Sequence, residues 1–247
     1  REYDAAISPN GNIPVHAFNL ISPTFFANSS TGNKYSLWVN VYGVSERYLN
    51  VYGEKDLRAQ MNQFFHRTYT HPVDGTTLDM KMLCNWYWYD ETAILETGKG
   101  TKDWNFYRYA ETLLSAAEAI AQSSGVNAEA AGYLAQVKAR ANMEGKDVST
   151  IASELQRLGK QAFIEECWKE RLREFPLEMK IWDDCVRTGK FPQISATNKG
   201  EVQFVDLIGA TNGSGAKFKE TDLYWPIPVN EIQRNPNLTQ NEGYSAK

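Results

Sequence analysis

The sequence predicts a mostly α-helical fold of tetratricopeptide-like helix hairpins, carrying long irregular and partly β loops. Three observations predict it. Two apolar stripes at helical spacing lie on either side of a short polar turn between Trp104 and Ala141. A second helical pattern, with its own stripe, runs from Ile151 to Glu174. The flanking segments, 1 to about 50 and 190–247, are rich in Pro, Gly, Asn and Ser and carry little helical periodicity.

In chain order, Pro9, Asn10, Gly11 and Pro14 mark a loop, as does the run NSSTGN at 28–33. Leu37, Val39 and Val41 alternate with Trp38, Asn40 and Tyr42, which predicts a brief strand. From Ser45 to Phe65 the pattern turns helical, most clearly in EKDLRAQMNQFF. Residues 66–103 read as irregular and hold the densest aromatic run, NWYWYDE from Asn85 to Glu91. Four consecutive aromatics cannot all face inward from one helix or strand, so some must meet solvent or another element.

In the hairpin, Phe106, Ala110, Leu113, Ala117 and Ile120 form one helical face, and Ala131, Leu134, Val137 and Ala141 form the other. Ser123, Ser124 and Gly125 break the pattern, with Gly125 free to take a left-handed conformation. Asn127 is placed to cap the second helix. Alanines on both stripes let the backbones approach closely. From Tyr107 to Arg140 the hairpin has the period of a tetratricopeptide repeat, about 34 residues. In the next helix Ile164, Trp168, Leu172 and Phe175 form the stripe, and Glu165, Glu166, Lys169, Glu170, Arg171 and Arg173 are expected on the solvated side. Pro176 stops or kinks it. LEMKIWDDCVRTG is a shorter helix closed by Gly189, Val202–Ile208 is strand-like, and the Pro- and Asn-rich end should be extended.

Three segments together resemble the SusD/RagB family of outer-membrane nutrient-binding lipoproteins. Arg108, Tyr109, Ala110, Glu111, Ala117, Glu118 and Ala119 match one family helix. Glu170, Arg171, Glu174, Glu178, Asp184, Arg187 and Gly189 match a second signature, and the stretch YWPIPVNEIQRNPNLTQNEGY is similar to the family's closing segment. Asp56-Leu57-Arg58 also resembles a family element. Met179 stands where the family pattern usually has Gly, and Ile181 where it usually has Arg, which suggests locally different packing there. The resemblance implies a SusD-like α-α superhelix and places this chain as the C-terminal portion of a longer protein. Residues 1–103 would be a variable, ligand-facing region, 104–189 a helical scaffold and 190–247 an extended wrap. It also implies a non-catalytic protein at the cell surface of the outer membrane that passes an oligosaccharide or peptide nutrient to a SusC-like TonB-dependent transporter. Membrane attachment would come only through a lipid anchor not present in this chain.

Composition narrows the alternatives. The formal charge of −4 gives no basic field, so nucleic acid is not an expected partner. Cys84, Cys167 and Cys185 show no pairing or zinc spacing and read as buried small hydrophobes. His16, His66 and His71 form no metal-ligand pattern, and no cofactor motif appears, so neither metal nor cofactor is implied. Glu111 and Glu118 share a helix side and could serve acid/base chemistry, but ion pairing with arginines such as Arg108 or Arg140 is the favoured reading. Asp183 and Asp184 point about 100° apart on a helix, which denies them the geometry of a glycosidase pair; a partner among Arg171 and Arg173 is expected instead.

The aromatics are the remaining chemistry, with 13 Tyr, 11 Phe and 7 Trp. A Trp or Tyr plane stacks on the apolar face of a sugar ring while amides and guanidiniums take its hydroxyls. Trp38, Tyr42, Tyr48, Tyr52, Trp86, Tyr87, Trp88 and Tyr89 lie in the loop-rich region and are the candidate ligand contacts. Their alternative role is to anchor loops on the helices. Two other functional readings stand beside binding: a helical-repeat interaction module with little ligand affinity, and a glycan-degrading enzyme.

Overall fold

The computed structural model describes residues 44–71, 75–89 and 105–245. The expected strand around Leu37–Tyr42 and the loops before it lie outside these residues. The chain divides into two compact units. The larger runs to Glu178 and takes in Ile194–Glu201; the smaller is Met179–Gln193 with Val202–Lys247.

The larger unit is built on the expected hairpin. Helix α1 spans Tyr109–Ser124 and α2 Ala128–Ala139. Ala117, Ala121, Ala130, Ala131 and Ala135 are all 0% exposed, so the two backbones meet through methyl groups, with Leu114 and Leu134 filling the seam. Each of those leucines contributes about 1.5–3 kcal/mol by leaving water. Asn127 caps α2 as expected, its side chain accepting the Ala130 N–H at 2.9 Å. Gly125 has φ 81° and ψ 178°, a region open essentially to glycine but not the left-handed helical one. The helix begins three residues later than its stripe suggested: Arg108 stays extended, and Phe106 is 73% exposed.

Helix α3 (Val148–Leu155) and helix α4 (Lys160–Glu174) replace the single helix expected over 151–174. Gly159 adopts an extended conformation as the N-cap of α4 and breaks the run. Phe163, Ile164, Cys167 and Phe175 join the hairpin core, with Trp168 half-buried against it. The side of α4 expected to be solvated is the main correction: Glu170, Arg171 and Arg173 are buried, as is Glu174 beside them.

The segment expected to be helical over Ser45–Phe65 forms only two 3-10 turns, Glu46–Val51 and Leu57–Ala59, before strand β1 (Phe65–Thr70). Its periodic apolar residues Leu57 and Met61 are exposed while Arg58 is buried, so an ionic anchor overrides the helical pattern. β1 pairs antiparallel with β2 (Thr77–Asn85), with an irregularity between His66 and Thr68. This hairpin was not expected, although Asp74-Gly75 and the alternation in TLDMK are hairpin signals. Tyr48 and Tyr52 tie the loop to α4, their hydroxyls donating to the Leu172 and Arg173 carbonyls at 2.6 and 2.9 Å. Asn85 donates to the Pro176 carbonyl at 2.9 Å and fastens the end of β2.

The smaller unit holds α5 (Ile181–Thr188), strands β3 (Lys190–Ile194) and β4 (Val202–Asp206), and the short α6 (Val229–Arg234). Gly189 closes α5 in the left-handed conformation, as expected. Trp182, Phe191 and Phe218 cluster within this unit. Met179, which stands where the resembled pattern has Gly, has φ 61°. A side chain there is strained by about 1–2 kcal/mol, part of which glycine returns through its freer unfolded chain. Met179→Gly is therefore expected to raise stability by about 0.5–1 kcal/mol in a denaturant titration.

Candidate binding site

Charges, not aromatics, organise the centre of the larger unit. Asp56 accepts the Arg58 backbone N–H and also receives its guanidinium, at 2.9 Å from Nε and 2.7 Å from Nη2. The same guanidinium reaches Glu170 and Glu174, both at 2.9 Å. Glu174, 1% exposed, collects three arginines: Arg58, Arg108 at 3.0 Å and Arg140 at 2.5 Å. Arg108 forks onto Glu178 at 2.7 and 2.8 Å and donates to the Glu174 carbonyl at 2.9 Å. Arg173 joins Glu166 at 2.9 Å and Glu170 at 3.3 Å, and Lys138 also contacts Glu166. Arg58, Arg108, Lys138, Arg140 and Arg173 thus balance Asp56, Glu166, Glu170, Glu174 and Glu178.

That balance offsets the cost of burial for the most enclosed groups. Burial alone would raise the Glu170 carboxyl, but Arg58, Lys138 and Arg173 outweigh it and hold the pKa down at about 2. Burial likewise opposes the charge on Arg58, and Glu170 and Asp56 overcome it, so its pKa lies above the ordinary guanidinium value.

One side of this lattice forms the wall of a cavity of about 310 Å³. Tyr87, Phe64 and Leu57 supply its apolar surface, and Gln63, Arg108 and Arg140 its donors. Tyr87 is positioned by Asn85, whose side chain accepts the Tyr87 N–H at 2.8 Å and caps the 3-10 turn Trp86–Trp88. The Arg108 guanidinium lies 5.7 Å from the Tyr87 ring centroid, a cation–π contact that holds the ring beside the charges. Arg140, just past the end of α2, has a side chain 60% exposed. A half-buried ring beside forked donors suits a ligand with one apolar face and oxygens at its rim.

The expected contact residues fall in different places. Among the described residues, Tyr87 is the expected contact that lines this cavity. Tyr52 is 0% exposed and Tyr48 half-buried, and both spend their hydroxyls on α4 carbonyls, so as placed they anchor the loop. Trp86 and Tyr89 are half-buried; Trp86 stacks on His66 at 3.8 Å and on Tyr89 at 4.3 Å. Trp88 lies in the 3-10 turn after β2, and Trp38 and Tyr42 are outside the described residues. Sequence reasoning missed Phe64, Gln63, Arg108 and Arg140 as cavity residues. Arg108 was quoted in the family match, but nothing in its spacing points to a cavity.

The carboxylates weighed for catalysis are engaged otherwise. Glu111 pairs with Arg171 at 3.1 Å rather than with Arg108 or Arg140, and Glu118 accepts from the Trp168 indole and from Gln122, each at 2.9 Å. Asp184 pairs with Arg187 at 2.8 Å. Among the described residues no cluster of His, Cys, Asp and Glu has metal-binding geometry, and no helix is long and apolar enough to cross a membrane. Cys84, Cys167 and Cys185 are buried free thiols, and burial pushes the Cys185 thiol up to about 11.

Several charged residues of the resembled signatures are ion-pair members, most of them in this lattice. Arg108, Glu170, Arg171, Glu174 and Glu178 are all buried or half-buried ion-pair members, and Asp56 and Arg58 complete it. Comparison with known proteins agrees. The starch-binding protein SusD of Bacteroides thetaiotaomicron is 36% identical over 138 residues, covering 56% of this chain and 21% of that protein. A SusD superfamily protein of Parabacteroides distasonis, known from its crystal structure, superimposes with a TM-score of 0.74 at 29% identity, covering 93% of this chain and 46% of that one. This chain therefore spans less than half the length of either relative. The pattern that defines the SusD family matches residues 28–244, and with the mostly α fold it leaves one conclusion: the chain belongs to the SusD family.

Proposed function

We propose that this chain binds an oligosaccharide, without breaking any bond, in the cavity beside Tyr87, as part of nutrient capture at the bacterial outer membrane. Delivery would be to a SusC-like TonB-dependent transporter, and attachment through a lipid anchor. The observation that carries the reading is an open cavity of about 310 Å³ in which the Tyr87 ring adjoins the Arg108 and Arg140 donors. Stacking on the ring and hydrogen bonds at the rim are the two elements of sugar recognition. The name of the starch-binding relative supports the ligand class. A non-catalytic role is supported by Glu174 and Glu178, the cavity's carboxylates, which arginines hold at 2.5–3.0 Å. Glu174 is 1% exposed and Glu178 6%, and carboxylates committed in this way to guanidiniums are poorly placed to hand a proton to a ligand.

Affinity electrophoresis of the whole chain through gels containing starch and other polysaccharides tests the reading. Tyr87→Ala is expected to weaken retention at least tenfold, about 1.4 kcal/mol, with the thermal unfolding midpoint nearly unchanged. Equal retention of the variant and the parent would count against the site.

A second reading has its own observation. The His66–Trp86–Tyr89 stack favours loop anchoring for those aromatics, as in a protein whose helical scaffold serves only a partner protein. On that reading no polysaccharide retards the chain, and the partner is retained by Tyr87→Ala.

A further inference from the structure

The cavity wall is unevenly charged in a chain that is negative as a whole. Arg58, Arg108 and Arg140 face it against Glu174 and Glu178, while the full sequence carries −4. The arginines are not equally committed. Arg58 is 6% exposed in its side chain and engages Asp56, Glu170 and Glu174. Arg108 is 22% exposed and engages both oxygens of Glu178 together with the carboxylate and carbonyl of Glu174. Arg140 makes its ion pair through Nη2 alone, with the side chain 60% exposed. A guanidinium has five N–H donors, so most of its fork remains for a ligand. Glu174 meanwhile accepts from all three arginines and has little further charge to offer Arg140. The result is a planar, forked and largely exposed cation lining a cavity that an aromatic ring also lines.

Resting on the oligosaccharide reading of this cavity, we infer that the site selects acidic saccharides, with Arg140 taking the carboxylate of a uronate-type sugar whose ring lies against Tyr87. Bidentate geometry matches guanidinium to carboxylate and gives both affinity and orientation.

Calorimetric titration of the whole chain with trigalacturonate, with its neutral methyl ester and with maltotriose tests the inference. Trigalacturonate is expected to bind roughly tenfold more tightly than its ester, the preference shrinking as salt rises. In Arg140→Gln, checked for a native melting profile, the acid-to-ester ratio should fall close to one, and Arg140→Lys should restore part of it. Equal binding of acid and ester by the parent, or a preference that persists in Arg140→Gln, overturns the inference and leaves the cavity reading standing. If none of the three saccharides binds and Tyr87→Ala changes no polysaccharide retention, the cavity reading falls with it.

Discussion

Glu174→Ala is expected to cost this protein about 3–5 kcal/mol, enough to leave a large fraction of it unfolded if its stability is ordinary. Glu174 is the shared acceptor of Arg58, Arg108 and Arg140. Its loss leaves the lattice with one positive charge in excess, takes one of three carboxylates from the buried Arg58 and frees Arg108 from one of its two. The surviving attractions cannot offset that desolvation, because a buried charge is tolerated only while its partners remain. Urea denaturation of the parent and variant measures the difference. As a control, Glu231→Ala removes the exposed pair with Arg234 at 3.2 Å and should change stability by less than 1 kcal/mol. A comparably small effect for Glu174→Ala would mean that the lattice does not hold the fold.

Acid should unfold the protein through Glu170. Its ordinary pKa is 4.5 and the folded value about 2. A depressed carboxylate pKa stabilises the fold above the unfolded value and loses that contribution as pH falls toward the folded one. The window therefore runs from about pH 4.5 down to about pH 2, and the contribution at neutral pH is on the order of 3 kcal/mol. The Glu166 carboxyl, also depressed by Lys138 and Arg173 against the effect of burial, adds in the same direction. Stability measured by urea titration should be flat from neutral to about pH 5 and fall below it. Glu170→Gln should be less stable at neutral pH and show a shallower acid slope. An unchanged slope in that variant would assign the acid sensitivity to other groups.

The hairpin of α1 and α2 was legible because its core is made of methyl groups at helical spacing, and period alone identifies such a face. The Asn127 cap and the Gly189 terminus were legible for a similar reason: a single side chain, or its absence, satisfies a local backbone need. What could not be read locally was which charges are inside. Glu170, Glu174 and Arg173 sit on α4 in a pattern that any solvated helix face would show. Their burial depends on Arg58, Arg108 and Arg140 arriving from distant parts of the chain. The same long-range pairing pulled Arg58 inward and replaced the expected helix over Ser45–Phe65 with turns. Tyr87 was legible as one of a run of aromatics, but its neighbours Trp86 and Tyr89 look equivalent in sequence and stack on one another instead. Arg140 showed no signal beyond its place at the end of α2.

The central claim is that a sugar binds in the Tyr87 cavity, against an ion-pair lattice that is structural. A crystal structure of the whole chain with the oligosaccharide it retains most strongly tests this directly. The account predicts a sugar ring parallel to the Tyr87 ring with its oxygens within hydrogen-bond reach of Arg140 and Gln63, and the pairs on Glu174 unchanged. An ordered sugar bound elsewhere, with the Tyr87 cavity empty, would contradict it.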